Sequence, residues 1–144
     1  MIKIWIDGSS KPNPGKGGIG IVIRGATWDY PLTHGVVWDY TISEKCGDRV
    51  SNNQAEYRAL NRALTELMKN ECINKEIIVF SDSEMLTLQM SGEKKVDKGG
   101  AYVPDYMKAK QLLRYFTNIK FSWIPREENA EANLLASEAI RVWH

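Results

Sequence analysis

Apolar and polar residues alternate at the start of the chain. Ile2, Ile4 and Ile6 occupy every second position, which is the period of a β-strand that packs one face on a core. The alternation ends at Asp7, and the residues from there to Gly20 are rich in proline and glycine, which favour sharp turns and close approach of the backbone. The pattern therefore predicts that Asp7 ends a strand beside a tight turn and belongs to a site.

Two further strands are predicted before residue 50. Residues 19–24 and 35–42 are rich in β-branched and aromatic side chains, and residues 25–31 between them are predicted as a loop. Residues 46–50 are polar and are interpreted as a connection. Strands that follow one another over such short links favour an antiparallel meander.

The period changes to that of an amphipathic helix at residues 52–69. Apolar residues recur there at helical spacing, at Leu60, Ala63, Leu64, Leu67 and Met68. Ser51, Asn52 and Asn53 are suited to cap the start of this helix. Glu56 lies one turn before Leu60 on the stripe that enters the core, where a carboxylate is unfavourable unless it is paired or bound to a metal.

The second half of the chain alternates between strands and helices. Residues 76–82 form an apolar run that predicts a central strand covered on both faces, with Asp82 at its carboxyl end. Helices are predicted at 83–90, 104–117 and 128–143, and a last short strand at 121–124. This order predicts an α/β fold with a mixed sheet, in which ligands gather at the carboxyl ends of the strands, near Asp82.

Composition and charge narrow the class of protein. The 144 residues carry a net charge of +1 and are 43% apolar, as in an ordinary globular domain, so we expect a single domain over residues 1–144. Cys46 and Cys72 lack the spacing of a metal-thiolate site. No leader-like segment and no apolar run long enough to span a bilayer is present, so we expect a soluble, monomeric protein of the cytoplasm that does not contact membranes.

Three carboxylates are the candidates for chemistry. Asp7, Glu56 and Asp82 come from separate predicted elements, and oxygen ligands of this kind suit Mg²⁺ in phosphoryl-transfer sites. Taken one at a time, Asp7 is equally well a turn residue, Asp82 a helix cap, and Glu56 an acid favoured by the helix dipole. Taken together, with two of them at the ends of apolar strands, they favour a site.

The motifs around these carboxylates resemble type 1 ribonuclease H over essentially the whole chain. They are Asp7-Gly8-Ser9 with Asn13-Pro14-Gly15 and Gly17-Gly18-Ile19-Gly20, then Asn52-Asn53-Gln54-Ala55-Glu56, Ser81-Asp82-Ser83, and Arg126 with Asn129 and Ala132-Asn133-Leu134-Leu135-Ala136. The resemblance implies a ribonuclease H-like fold, a five-stranded mixed β-sheet flanked by α-helices. It also implies cleavage of the RNA strand of an RNA/DNA hybrid by two Mg²⁺ or Mn²⁺ ions, leaving 5′-phosphate and 3′-hydroxyl ends.

The fourth catalytic position departs from the family pattern. Asp7, Glu56 and Asp82 match three of the four family carboxylates, but Asn133 stands where the family carries Asp. An amide keeps a carbonyl oxygen for a metal but loses the charge, so one ion should bind more weakly. Two interpretations stay open: a deliberate inactivating substitution, which we favour because Asp and Asn have nearly the same shape, or a natural site of three carboxylates and an amide. Glu131 faces elsewhere on a helix and is a poor substitute.

The resemblance also implies residues that bind the substrate. The turn backbone at Gly8, Ser9 and Ser10 and the amides of Asn13, Asn52 and Asn53 match positions that read RNA 2′-hydroxyls, although Asn52 and Asn53 also suit a helix cap. Some members grip a DNA phosphate at the positions of Arg49 and Ser51, and many place a mobile histidine near Arg126. His34 and His144, in a predicted loop and at the terminus, are not catalytic candidates.

A basic cluster follows the second predicted helix. It comprises Lys94, Lys95, Lys98, Lys108, Lys110 and Arg114, with Tyr102 and Tyr106 between them. Such a run is usually a solvated face, but beside a phosphodiester site we expect it to steer the hybrid. The rival interpretations are another nuclease or transposase-like domain, and a non-catalytic nucleic-acid-binding module that has lost its fourth carboxylate.

Overall fold

One mixed sheet organises the molecule. The computed structural model describes residues 1–27 and 36–142. Within these ranges β1 (Ile2–Lys11), β2 (Gly15–Thr27) and β3 (Val36–Val50) form an antiparallel meander. Strands β4 (Glu76–Ser81) and β5 (Asn118–Trp123) join it in parallel, β4 beside β1 and β5 beside β4. The order β3-β2-β1-β4-β5 confirms the predicted five-stranded mixed sheet.

The helices lie in the connections and after the last strand. They are α1 (Asn52–Lys69), α2 (Glu84–Met90), α3 (Val103–Leu113) and α4 (Ala130–Arg141), the last preceded by a single 3₁₀ turn at Arg126–Asn129. Ser51 caps α1, because its hydroxyl accepts from the Gln54 N–H at 3.1 Å while its own N–H donates to Gln54 Oε1 at 2.8 Å. Ser83 caps α2 by accepting from the Leu86 N–H. In the part of the chain that the structure describes, no helix is both long and apolar enough to cross a bilayer.

Two helices cover opposite faces of the sheet beside β1. Ile2, Ile4 and Ile6 are buried together with the apolar stripe of α1. The opposite face of β1 and β2 is covered by α4, which approaches so closely that a Cβ at Gly20 would overlap the carbonyl oxygen of Ala132. Gly20 is paired directly with Asp7 in the β1–β2 ladder. Because glycine has no side chain, α4 can approach the sheet closely beside Asp7.

Several predicted boundaries are wrong. Strand β1 does not end at Asp7 but continues to Lys11, and β5 runs from Asn118 to Trp123 instead of over 121–124. Residues 25–27 continue β2 instead of forming a loop, and residues 46–50 belong to β3. Polar residues are tolerated there because β3 is an edge strand, with Lys45 and Gly47 paired to the glycines of β2. The helix predicted at 104–117 ends at Leu113. The predicted positions 28–31, 35 and Trp143 lie outside the described residues.

The predicted cover on β4 is also corrected. Ile77 and Val79 are buried on one face, whereas Ile78 and Phe80 are half-buried on the other. The reason is that α4 packs over β1, β2 and β3 and does not extend to β4. Phe80 stacks instead on Trp5 of the neighbouring strand, with ring centroids 5.2 Å apart.

Candidate active site

Three carboxylates meet at one edge of the sheet. Asp7 lies on β1, Glu56 in the first turns of α1, and Asp82 directly after β4. Because β1 and β4 are parallel neighbours with Ile6 opposite Ser81, the next residue of each strand falls side by side. One side-chain oxygen from each residue lies within 4.8 Å of the other two. The structure therefore brings together the three acids that the sequence selected.

Close packing of α1 on β1 aims Glu56 at the other acids. A Cβ at Gly8 would overlap the backbone of Ala55, so only glycine allows this approach. The Gly8 N–H donates to Glu56 Oε1 at 3.2 Å. The second oxygen, Oε2, is buried without a hydrogen-bond partner among the described residues. Glu56 thus offers one free carboxylate oxygen to whatever occupies the site.

The acids raise one another's affinity for protons. Burial raises the pKa of Glu56 well above its usual value, and the nearby charge of Asp7 raises it further. Burial likewise raises the pKa of Asp7 to about 6, and the nearby charge of Asp82 adds to the rise. Three neighbouring carboxylates in a poorly solvated place are unfavourable unless a cation neutralises them. The oxygen-only donor set and the unpartnered Oε2 fit a hard divalent ion.

Residue 133 completes the group from the α4 side. The Asn133 amide donates from Nδ2 to Asp7 Oδ2 at 2.8 Å. The helix is held in register by the buried Asn129, whose Nδ2 donates to the Ile6 carbonyl at 2.8 Å. Glu131 points to Arg24, with 2.8 Å between Oε2 and Nη2, so it does not replace the missing acid. Asn133 thus lies beside Asp7, with its amide nitrogen turned to the carboxylate.

An open cleft of about 310 Å³ surrounds these groups. Of the predicted substrate-binding residues, Gly8, Ser9, Asn52, Asn53 and Arg126 line it. The charge of Arg126 also lowers the pKa of Asp7, which places this guanidinium near the carboxylates. Ser83 lines the cleft as well and was absent from the predicted set, although the Ser81-Asp82-Ser83 motif pointed to it.

The remaining predicted contacts lie behind or beside the cleft. Ser10 donates from both its N–H and its hydroxyl to Asn52 Oδ1 at 2.9 Å, and the Asn52 N–H donates to Asn13 Oδ1 at 3.1 Å. These bonds fasten the β1–β2 turn to the start of α1. The Ser51 hydroxyl is used as a helix cap, and Arg49 is exposed near the end of β3. Their contacts with substrate stay predictions.

The basic cluster is divided between two elements. Lys94, Lys95 and Lys98 lie between α2 and α3, and Lys108 and Lys110 lie on α3, followed by Arg114 at its end. None of these residues lines the cleft. The structure thus separates the cluster from the carboxylates. His34 and His144 lie outside the described residues.

Comparison with known protein sequences shows what the chain is similar to. A family model described as reverse transcriptase-like matches residues 6–139. The bifunctional protein Rv2228c of Mycobacterium tuberculosis is 34% identical over 139 residues, which cover 96% of this chain and 35% of that protein. The putative hydrolase EbsB of Enterococcus faecalis is 27% identical over 146 residues, covering 100% of this chain and 97% of that protein. The chain spans about a third of the length of the first curated relatives that it matches.

Solved structures share the fold over the full length. RNase H1 from the halophilic archaeon Halobacterium salinarum superposes with a TM-score of 0.80 at 27% identity, covering 97% of each chain. LC11-RNase H1, isolated from compost and solved in complex with an RNA/DNA hybrid, superposes with a TM-score of 0.81 at 34% identity, covering 98% of this chain and 97% of that one. The chain therefore belongs to the reverse transcriptase-like family and, within it, to the type 1 ribonucleases H.

Proposed function

We propose that this protein is an endonuclease that hydrolyses the RNA strand of RNA/DNA hybrids. The observation that carries the proposal is the convergence of Asp7, Glu56 and Asp82 within 4.8 Å at the base of an open cleft. The similarity to LC11-RNase H1, solved with an RNA/DNA hybrid, supports the choice of substrate. In the reaction a water oxygen adds to phosphorus and the 3′ oxygen leaves with a proton, giving 5′-phosphate and 3′-hydroxyl ends.

We infer that the cofactor is Mg²⁺ or Mn²⁺, two ions to a site. Asp7, Glu56, Asp82 and the carbonyl oxygen of Asn133 would hold them. When bound, such ions make water a better nucleophile and stabilise the leaving oxygen. The protein itself holds the carboxylates in place: the Gly8 N–H donates a hydrogen bond to Glu56, and the Asn133 amide donates one to Asp7. Poor solvation of these acids keeps them reactive toward cations.

Specificity for the RNA strand is assigned to the amide-bearing wall of the cleft. Asn52 and Asn53 are exposed there, next to the backbone of Gly8 and Ser9, and such groups both donate and accept as a 2′-hydroxyl requires. Asn13 and Ser10 position Asn52 through hydrogen bonds. For the nucleic-acid backbone, the proposed phosphate contacts are Arg49, Ser51 and Arg126.

With Asn133 in place of an aspartate, the protein should have lower nuclease activity than its Asn133→Asp variant. The amide contributes no charge to the metal-binding group, so one ion should bind weakly. A deliberate Asp-to-Asn substitution remains the favoured origin of this residue, and a natural three-carboxylate site remains the other. The second candidate function follows from the same residue: a weakly active or non-catalytic module that binds hybrids or double-stranded RNA.

The experiment that tests the function compares the protein with its Asn133→Asp variant. Each is incubated with Mg²⁺ and a labelled RNA/DNA hybrid, double-stranded RNA or double-stranded DNA of the same sequence. We expect the Asp variant to cut the RNA strand of the hybrid alone, and faster than the protein with Asn133. A variant that cuts nothing refutes the enzyme; one that also cuts double-stranded DNA refutes the specificity.

Three further proposals concern the protein as a whole. We propose that residues 1–144 act as one domain, that the protein is monomeric, and that it works in the cytoplasm without membrane contact. Its near-neutral charge of +1 supports the absence of a general attraction to anionic surfaces. Sedimentation analysis of the metal-bound protein with and without a hybrid tests the monomer.

A further inference from the structure

A second cavity of about 520 Å³ lies between the segment after α2 and the first turns of α3. Its lining is mostly apolar atoms, and it includes Val96, Val103, Tyr106 and Met107. Met107 is 52% exposed and gives the cavity part of its apolar surface. The cavity shares no lining residue with the cleft that holds the carboxylates. It is therefore a separate surface.

The polar group at the base of this cavity is already fully used. Gln89 is buried and donates from Nε2 to the Tyr102 hydroxyl at 2.9 Å and to the Lys95 carbonyl at 3.4 Å. Its Oε1 accepts from the Tyr57 hydroxyl at 2.5 Å. The Tyr106 ring packs edge-on against Tyr57. The base thus offers apolar contact rather than hydrogen bonds to an occupant.

Four lysines surround the apolar base. Lys94, Lys95, Lys98 and Lys110 line the cavity, all are exposed, and none forms a salt bridge with the described residues. The two acids of the segment are turned to local partners. Asp97 accepts from the Gly99 N–H at 3.1 Å, and Glu93 accepts from the Ser91 hydroxyl at 3.3 Å. The cavity lining therefore carries four lysines and no carboxylate, because neither Asp97 nor Glu93 is among the lining residues.

We propose that this cavity, lined by the four lysines and the apolar residues above, is a docking site for an acidic peptide segment of a partner protein. The segment would place one large apolar side chain on Val96, Val103 and Met107, and carboxylates beside the lysines. The volume lies within the range that encloses such a group. Charge complementarity would speed association and orient the segment, whereas the apolar side chain would supply most of the affinity.

Nucleic acid is the less suitable occupant. Recognition of a strand uses phosphate contacts together with hydrogen bonds to base edges or stacking on an open aromatic face. The groups of Gln89 are satisfied internally, the Tyr106 ring is engaged with Tyr57, and the contact surface is aliphatic. Only the lysines would remain for a nucleic acid, and they would leave the apolar base uncovered.

Titration of the protein of residues 1–144 with labelled peptides tests the proposal. The probe is a short fluorescent peptide of Asp, Glu and Ser with one central Phe, and its control carries Ser in place of Phe. We expect binding of the Phe peptide to exceed that of the Ser peptide by about tenfold or more, since burial of a Phe side chain accounts for such a factor. We also expect binding to weaken as salt rises. Equal binding of the two peptides, or binding of neither, overturns the proposal.

Variants with matched controls locate the site. Met107→Gln should reduce affinity for the Phe peptide, whereas Tyr115→Gln, which replaces another exposed apolar side chain, should not. Lys98→Glu combined with Lys110→Glu should reduce it further than Lys69→Glu combined with Lys120→Glu, which changes net charge equally. Thermal melts confirm that every variant folds. Equal losses in test and control variants refute a local site.

The same variants distinguish binding of a peptide from binding of a nucleic acid at this cavity. Hybrid binding is measured without metal, so that no cleavage occurs. If Met107→Gln weakens binding of the hybrid as much as binding of the peptide, the surface is a nucleic-acid contact and the proposal is wrong. An unchanged hybrid affinity together with a lowered peptide affinity supports it. The outcome is independent of the proposed nuclease activity, because it concerns binding alone.

Discussion

Asn133 donates a hydrogen bond to Asp7 across 2.8 Å, from the last helix of the chain to its first strand. The bond gives the buried Asp7 carboxylate a partner that an aspartate at position 133 would not provide. Two ionised carboxylates at that distance would repel each other in the absence of a cation. The amide therefore favours the metal-free protein, and a carboxylate would favour the metal-bound one.

Replacing Asn133 with Asp should make stability depend more strongly on metal. We expect the melting temperature of the variant to fall below that of the protein in EDTA, and to rise by more on addition of Mn²⁺ or Mg²⁺. Titration calorimetry should show tighter or additional metal binding. Asn53→Asp is the control, because it adds the same charge to the same cleft at a residue other than the one that donates a hydrogen bond to Asp7. Equal responses of the two variants would show that the contact with Asp7 is irrelevant.

In the metal-free protein, the contribution of Asp7 to stability should fall as the pH rises from about 4 to 7. The folded pKa of Asp7 is about 6 against an ordinary value of 3.8, so the fold favours the protonated acid. The contribution of Asp7 is fully present below pH 3.8 and is lost as the pH passes through about 6. The raised pKa corresponds to roughly 3 kcal/mol, at 1.36 kcal/mol per unit.

Urea denaturation in EDTA across this range measures the effect, with Asp7→Asn as the comparison. The difference in unfolding free energy between the two proteins should change with pH in the stated direction, and Mg²⁺ should reduce the change. Other acids stabilise the fold more as the pH rises; Glu66 is one, because its hydrogen bond to Arg62 lowers its pKa. Taking the difference between the protein and Asp7→Asn cancels these contributions, since both proteins share them. A difference that is constant from pH 4 to 7 would contradict the prediction.

Glu56→Gln should weaken metal binding while leaving hybrid affinity largely intact. The substitution keeps a carbonyl oxygen that can accept from the Gly8 N–H, so the approach of α1 to β1 is preserved. It removes the charge and the unpartnered Oε2 that we assign to the metal. Calorimetry should show that fewer metal ions bind, or that they bind more weakly. The double variant Glu56→Gln/Asn133→Asp should not cleave the hybrid. An unchanged metal stoichiometry would mean that Glu56 only interacts with the helix dipole.

Gly20→Ala should separate α4 from the sheet. The new Cβ would overlap the carbonyl oxygen of Ala132, and overpacking of this kind typically destabilises a protein by about 1–3 kcal/mol. We also expect the bond between Asn133 and Asp7 to lengthen, so that the pKa of Asp7 rises further. Gly99→Ala is the control, since its Cβ would meet nothing closer than 3.7 Å. Comparable losses of stability in both variants would argue against the close approach.

Local pattern predicted much of the fold and of the site. The period of α1 placed Glu56 on the stripe beneath Leu60, and the apolar runs before Asp7 and Asp82 marked these two acids, although β1 continues past Asp7 to Lys11. These features are local, because burial on one face imposes a period on neighbouring residues. The extension of β3 through residues 46–50 was missed because an edge strand may be polar on both sides without losing its pairing.

Contacts between distant parts of the chain could not be predicted from pattern. The hydrogen bond from Asn129 to the Ile6 carbonyl joins residues far apart in sequence, and neither residue type indicates such a bond. The position of Asn133 beside Asp7 was expected only from the family resemblance. The sequence shows the lysines of the second cavity only as a run of charges, because the apolar residues beneath them come from two segments that meet only in the folded protein.

Gly20, which pairs with Asp7, lets the backbone of α4 take its position independently of the side chain at residue 133. The approach of α4 is set by main-chain atoms, those of Ala132 against Gly20, so the height of residue 133 above the sheet does not depend on its own side chain. Asp and Asn can consequently exchange there without repacking the core. If the proposed metal binding holds, a single nucleotide change between Asn and Asp codons would alter the charge of the site while the backbone that carries it stays in place.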